Sequence, residues 1–342
     1  MFSVRMSSLL RRLNAALSLT LIAAVATAAA PAPTAPPKPR PRHTPPAKIE
    51  PPAGAWKIDV SKGIQGTISR ERPTLVLISA AWCPYCKKMK NEVLPNADVQ
   101  ASLKNWELVY IDNETYPTAG KELMNRSIPF FVMYDREGNE ISRFNHEMNS
   151  AQVKAWVDDV HDRAMAIQKI DDRLKASPKD ARLLGEKAGG LMDLALKVHS
   201  VNPRITVTMP GRLARCLDAY KQAAEAGNAD PELKAKAELV EAVYQVLGTA
   251  PGLGAQKLAE IEKKNNAVAG DACFWQAVAA LYEAQAKNPK IGHTPESDKI
   301  FQAYAEKYPN GRYSDTTRRQ LNKIKDAIAR EQKAAQAQAA KK

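Results

Sequence analysis

Residues 74–81, TLVLISAA, form an unbroken apolar run of strand length. A strand with one face in water alternates apolar and polar residues; a continuous run belongs to a strand buried on both faces. A chain containing such a strand must cover its sheet from two sides, and helices are the usual cover. The run passes directly into Trp82-Cys83-Pro84-Tyr85-Cys86-Lys87-Lys88-Met89, where helical spacing begins, to stop at Pro95. WELVYID (106–112) is a second apolar run, ETYPTAGKELMNR a loop and helix, and IPFFVMYD (128–135) a third run, turned by REGN into EISRFN. In the segment that follows, Val153, Trp156, Val157 and Val160 share one helical face. The order β-α-β-α-β-β-α, with a short strand possible at its start, predicts an α/β domain over 55–165 with a central mixed sheet and helices on both faces.

Beyond residue 165 no strand pattern appears. Amphipathic helical segments lie near 166–176, 180–199, 211–226, 230–247, 253–265, 271–287, 295–308 and 312–335, several of them separated by Pro, Gly and Asn breaks. Residues 166–335 are therefore expected to be an all-α domain of helical hairpins. Trp275, Val278, Ala279 and Tyr282, with Phe301 and Pro309, partly match tetratricopeptide spacing, although the connection between the two helices is too long and no clean repeat precedes them. Residues 336–342 read as a low-complexity tail that frays.

The start of the chain is read as a processing signal. Arg5, Arg11 and Arg12 precede an apolar run that ends in small residues with an Ala26-Thr27-Ala28 cleavage pattern. Residues 1–28 are expected to be a cleaved signal peptide, which implies a periplasmic or otherwise exported protein; a membrane anchor formed by residues 13–30 is the alternative. Residues 29–54 are too rich in proline to pack a core and form an extended linker. The formal charge of +13 divides into +6 over 1–54, −1 over 55–165 and +8 over the remainder. With no dense basic block in either domain, the charge describes solvated helix surfaces and gives no reason to expect a nucleic-acid partner.

Four cysteines are too few for a disulfide-stapled miniature fold. Cys83 and Cys86 sit where a buried strand hands over to a helix. Unpaired N–H groups and the helix dipole favour a thiolate at Cys83, the exposed helix start, and the thiolate is the nucleophile of thiol–disulfide exchange. Cys86, one turn further in, is the expected resolving thiol. Pro84 suits an early helical position, where a missing N–H costs little. A structural zinc site needs four ligands, and Cys216 and Cys273 have neither the spacing nor the location to complete one, so no metal is expected. A purely structural bridge between Cys83 and Cys86 would close a loop too short to remove much unfolded-state entropy. In an oxidising compartment Cys216 and Cys273 could pair as a structural disulfide between helices, or each could be a small buried apolar residue.

With WCPYCKKM, the apolar strand before it, and Ile128-Pro129 entering a strand some forty residues later, residues 55–163 resemble the thioredoxin-fold thiol–disulfide oxidoreductases. The resemblance implies a redox-active Cys83–Cys86 disulfide as the only cofactor, a cis Ile128-Pro129 bond beside it, and Trp82, Pro84, Tyr85 and Ile128 on the substrate rim. It also implies a mixed-disulfide mechanism, exported protein thiols or disulfides as substrates, a further redox partner, and a potential of roughly −230 to −150 mV. The helical domain would bind a partner or substrate. Two departures stand out. Aligned on the cysteines and Pro129, Leu77 and Leu108 fall where thioredoxins carry a buried Asp and its Lys, so the usual proton acceptor for the resolving thiol is missing. His146 falls near a rim Gly, where its protonation could stabilise the Cys83 thiolate.

Overall fold

The computed structural model describes residues 50–58, 63–123, 127–145, 148–198, 208–248, 250–288 and 291–339. The expected signal peptide, most of the proline-rich linker and His146 lie outside these residues. The remaining chain forms one mixed sheet joined to a helical array.

The sheet has the order β1-β3-β2-β4-β5, with β1 at Trp56–Lys57, β2 at Thr74–Ser79, β3 at Glu107–Asp112, β4 at Phe130–Tyr134 and β5 at Glu140–Phe144. β2 lies at its centre, parallel to β3 and antiparallel to β4, and all six of its residues are buried. Strand alternation then divides the core. Leu75, Leu77, Leu108, Tyr110, Phe131 and Met133 face one side; Val76, Ile78, Val109, Ile111, Phe130 and Val132 face the other. The second face is covered by Ile64 of α1 (Gly63–Thr67) and Ala119 of α4 (Ala119–Glu122). The first packs against Met89, which directly follows α2 (Pro84–Lys88), and against α3 (Ala97–Leu103) and α5 (Ser150–Ala176) through Val99, Trp156 and Val160. The β4–β5 turn needs Gly138 at φ 86°, a left-handed backbone that a side chain would strain.

Three local expectations are corrected. The helix opening at the cysteines is α-helical only to Lys88 and widens into a π-turn over Met89–Val93. The expected strand at 74–81 ends at Ser79, because Ala80 and Ala81 turn the chain and the Ala80 carbonyl accepts the Cys83 N–H at 3.2 Å. An additional helix, α3, follows Pro95; the Asn96 side chain caps it by accepting the N–H groups of Asp98 and Val99.

The helical array comprises α6 (Ala181–Ala195), α7 (Met209–Glu225), α8 (Pro231–Leu247), α9 (Pro251–Lys263), α10 (Ala269–Lys287), α11 (Pro295–Lys307) and α12 (Ser314–Ala339). Each packs chiefly on its neighbours in sequence, and Asp180, Asp230 and Thr294 cap helices with their side chains. The tail is corrected too: α12 continues through 336–339, since Ala and Gln favour helix even without packing partners. Trp275, Val278, Ala279 and Phe301 are buried and Pro309 is exposed. The ring at the centre of that hairpin is Phe274, stacked on Tyr313 at 3.9 Å and in edge contact with Phe301 and Tyr304.

The expected domain boundary at 165 falls inside α5, a continuous helix of 27 residues. Its buried face runs from Trp156 through Ala164 to Ile167, and one apolar core continues into Ala188, Leu191 and Leu213. Across this junction the Glu140 carboxylate receives Arg143 Nε at 2.7 Å and the Thr208 hydroxyl at 2.6 Å, with Arg212 Nε at 3.9 Å. Arg215 pairs with Asp135 at 3.0 Å, Arg163 with Asp193 at 3.0 Å, and Lys197 with Asp159.

Candidate active site

The site is built where β2 ends. Cys83 is the N-cap of α2, in extended backbone (φ −81°, ψ 116°), and its Sγ accepts the Cys86 N–H at 3.2 Å. The first helical residue is Pro84, so one unpartnered N–H is removed from the helix start. The sulfur thus takes the place of an Asp or Ser cap and receives the backbone N–H such a cap would receive. Ile128-Pro129 is a cis peptide, and the Ile128 carbonyl lies 3.6 Å from Cys83 Sγ, accepting from the thiol. The structure thus brings Cys83, Cys86, Ile128 and Pro129 together from two segments more than forty residues apart.

Cys83 does not stand exposed as its position at a helix start suggested. Only 3% of it is accessible, against 2% for Cys86, because Ala80, Cys86 and the half-buried Ile128 close around it. What projects into solvent is the pair of aromatic residues on either side: Trp82 is 63% exposed and Tyr85 57%.

The two sulfurs differ in what surrounds them. Burial pushes the Cys86 thiol up to about 12, and the Cys83 side chain adds to that shift; the Ala80 backbone and the Ser79 side chain pull the other way. The strand register keeps Leu77 and Leu108 on adjacent strands, one pair out of step. Leu108 lies opposite Leu75, and the residue opposite Leu77 is Tyr110. Tyr110 and Ser79 escaped the sequence reading.

Cys216 and Cys273 are separate buried free thiols. Cys216 donates to the Ala188 carbonyl at 3.5 Å, and its thiol is pushed up by burial. Cys273 is pushed up to about 12, by burial and then by Glu262. Among the described residues no group of three or more His, Cys, Asp or Glu side chains is gathered for a metal ion, and no helix is long and apolar enough to cross a membrane.

A five-stranded mixed sheet covered on both faces, with a Cys-x-x-Cys pair opening a helix beside a cis-Pro, is a thioredoxin-like fold. The thioredoxin-like domain family matches residues 62–161, and this part of the chain is a thioredoxin-like domain. Among curated proteins it is similar to thioredoxin Y1, chloroplastic, of Arabidopsis thaliana, 28% identical over 112 residues that cover 32% of this chain and 55% of that one. It is also similar to the thioredoxin-like protein HCF164, chloroplastic, of the same plant, 30% identical over 73 residues that cover 21% of this chain and 28% of that one. The chain thus spans about half or less of the length of these relatives. Similar solved structures include a thioredoxin from Thermus thermophilus (21% identity, TM-score 0.25, covering 26% of this chain and 74% of that one). Another is the C-terminal domain of Neisseria meningitidis DsbD in the oxidised form (17%, TM-score 0.26, covering 30% and 96%).

Proposed function

We propose that the protein is an exported thiol–disulfide oxidoreductase acting on protein substrates through the Cys83–Cys86 couple. The observation that supports this most is the unequal pair of sulfurs: Cys83 caps α2 and accepts a helix N–H, whereas Cys86 is held as a buried thiol one turn inside. In the reducing direction the Cys83 thiolate attacks one sulfur of a substrate disulfide. A Cys83–substrate bond forms, the substrate S–S bond breaks, and the departing sulfur takes a proton. Cys86 then attacks Cys83, closing the Cys83–Cys86 disulfide and releasing the second substrate thiol. Run backwards, the same steps oxidise a dithiol, and the partner that recharges the couple sets the direction. No cofactor beyond the couple is required. Export rests on the residue pattern of 1–28, and the helical array is the surface assigned to a substrate or partner.

The test is a trapping experiment in the native compartment. Cys86→Ala is expected to accumulate covalent adducts with exported proteins on non-reducing gels, and these should vanish in the Cys83→Ala, Cys86→Ala double variant. If no Cys83-dependent adducts form, the oxidoreductase reading is abandoned for a scaffold in which the helical array binds partners and the thioredoxin-like domain only docks.

A further inference from the structure

A polar cavity of about 480 Å³ opens where α5, the chain just beyond α6 and the start of α12 come together. A volume of that size takes a small organic molecule. Its walls carry Arg163, Lys197, Arg312 and Arg319, four cations from three separate stretches of chain, against the carboxylates of Asp193 and Asp315. Ion pairs within the wall use only part of what these cations offer. Asp159 is shared by Arg163, at 3.0 Å, and Lys197; Asp193 is shared by Arg163, at 3.0 Å, and Arg312, at 2.8 Å. Arg312 Nε also reaches Asp271 at 3.1 Å. A guanidinium carries five N–H donors on three nitrogens. Arg163 bonds through Nε and Nη1, and Arg312 through Nε and Nη2, so each keeps one amino group unused among the described residues. The Thr316 hydroxyl donates to the Val198 carbonyl at 2.8 Å and accepts from Arg319 at 3.4 Å, which holds both side chains on the same wall.

Charge points the same way. With Arg318, paired to Asp315 at 3.2 Å, and with Asp159 and Asp271 behind the wall, cations outnumber carboxylates five to four. The Arg163 and Arg312 side chains are 38% and 31% exposed, so a solute can reach them. A metal ion would be repelled here, and an apolar guest would strip water from charges without replacing it. We infer that this cavity is a binding site for a small, multiply charged oxyanion carrying carboxylate or phosphate groups, seated against Arg163, Lys197, Arg312 and Arg319. Forked guanidinium donors match the paired oxygens of such groups. The ligand touches α5, the end of α6 and α12 at once, and a ligand that binds only the folded chain stabilises it. Neither Cys83 nor Cys86 takes part, so the site stands or falls apart from the oxidoreductase reading.

The test is calorimetric titration of the full-length protein with citrate and, separately, with pyrophosphate, in chloride at constant ionic strength. At least one of the two should saturate a single site and raise the urea midpoint as its concentration rises; which one does so separates a carboxylate ligand from a phosphate ligand. Losing one charge-assisted hydrogen bond should raise Kd about tenfold, in Arg319→Gln and again in Lys197→Gln. Asp315→Asn, at an exposed rim position, should lower Kd severalfold, an effect that damaged packing does not produce. Lys221→Gln, exposed on α7 and outside the cavity, should leave Kd unchanged. Urea midpoints without ligand check that each variant keeps its fold, and Arg319 is exposed enough for its replacement to do so. Three results would overturn the proposal. They are no saturable heat with either anion, an unchanged Kd in Arg319→Gln, and equal weakening by Lys221→Gln and Arg319→Gln, the sign of bulk charge alone.

Discussion

At the level of single residues, the reactive sulfur is recessed and its neighbours are proud. Trp82 and Tyr85 bury little area, so replacing both with Ala should leave stability within about 0.5 kcal/mol. The same change removes the apolar contact a protein substrate would meet first. KM for a disulfide-bonded protein should therefore rise severalfold while Cys83 attack on a small aryl disulfide keeps its rate, a split that steady-state kinetics with both substrates would reveal. Leu77 is a different case. It is 2% exposed and faces Tyr110, so Leu77→Asp buries a carboxylate without a cation. A loss of roughly 3 kcal/mol or more is expected from urea midpoints. Cys83, Cys86 and Pro129 were legible in the sequence because their chemistry travels with local pattern: strand, turn, capped helix, and an X-Pro before a strand. The covering of Cys83 was not, because it depends on Ile128, far along the chain.

The elements themselves were legible where punctuation is strong. Asp180, Asp230 and Thr294 begin helices close to where Pro and Asn breaks had suggested. α3 was missed because Pro95 read as a stop and the Asn96 cap behind it was passed over. That cap gives a direct check: Asn96→Ala leaves the Asp98 and Val99 N–H groups without their partner and should cost about 1 kcal/mol in chemical denaturation. The π-turn at Met89–Val93 carries no comparable signal, since the same side chains serve an α-helix equally well; tertiary packing of Met89 and Val93 against the sheet accompanies it. The division at 165 falls within α5 for a related reason. Its apolar spacing continues across that residue, and only the partners of the stripe change, from Phe144 and Phe131 to Leu191 and Leu194.

Over the whole molecule, the sheet and the helical array share one core and a buried ionic contact. Burial works against the Glu140 charge, but Arg143, Arg212 and Thr208 outweigh it and hold the carboxyl below its ordinary range. A carboxyl depressed in the folded state contributes stability above its unfolded value, and that contribution is lost as pH falls below about 4.5 toward the folded value. Asp159, held by Arg163 and Lys197 against its own burial, acts with the same sign. Glu140→Gln leaves Arg212 buried opposite a neutral group and should cost about 3–5 kcal/mol at neutral pH; urea denaturation at pH 7 and pH 3 should show the gap narrowing in acid. Both halves should be lost together. Trp56, Trp82, Trp106 and Trp156 report on the sheet and only Trp275 on the array, so fluorescence and far-ultraviolet dichroism should trace coincident transitions. An unbroken α5 also means that, among the described residues, one continuous helix leads from the reactive end to the helical end. Anything seated on the array meets the dithiol at a set distance and bearing, as a workpiece in a jig meets the tool, and the search that a flexible tether would impose is absent.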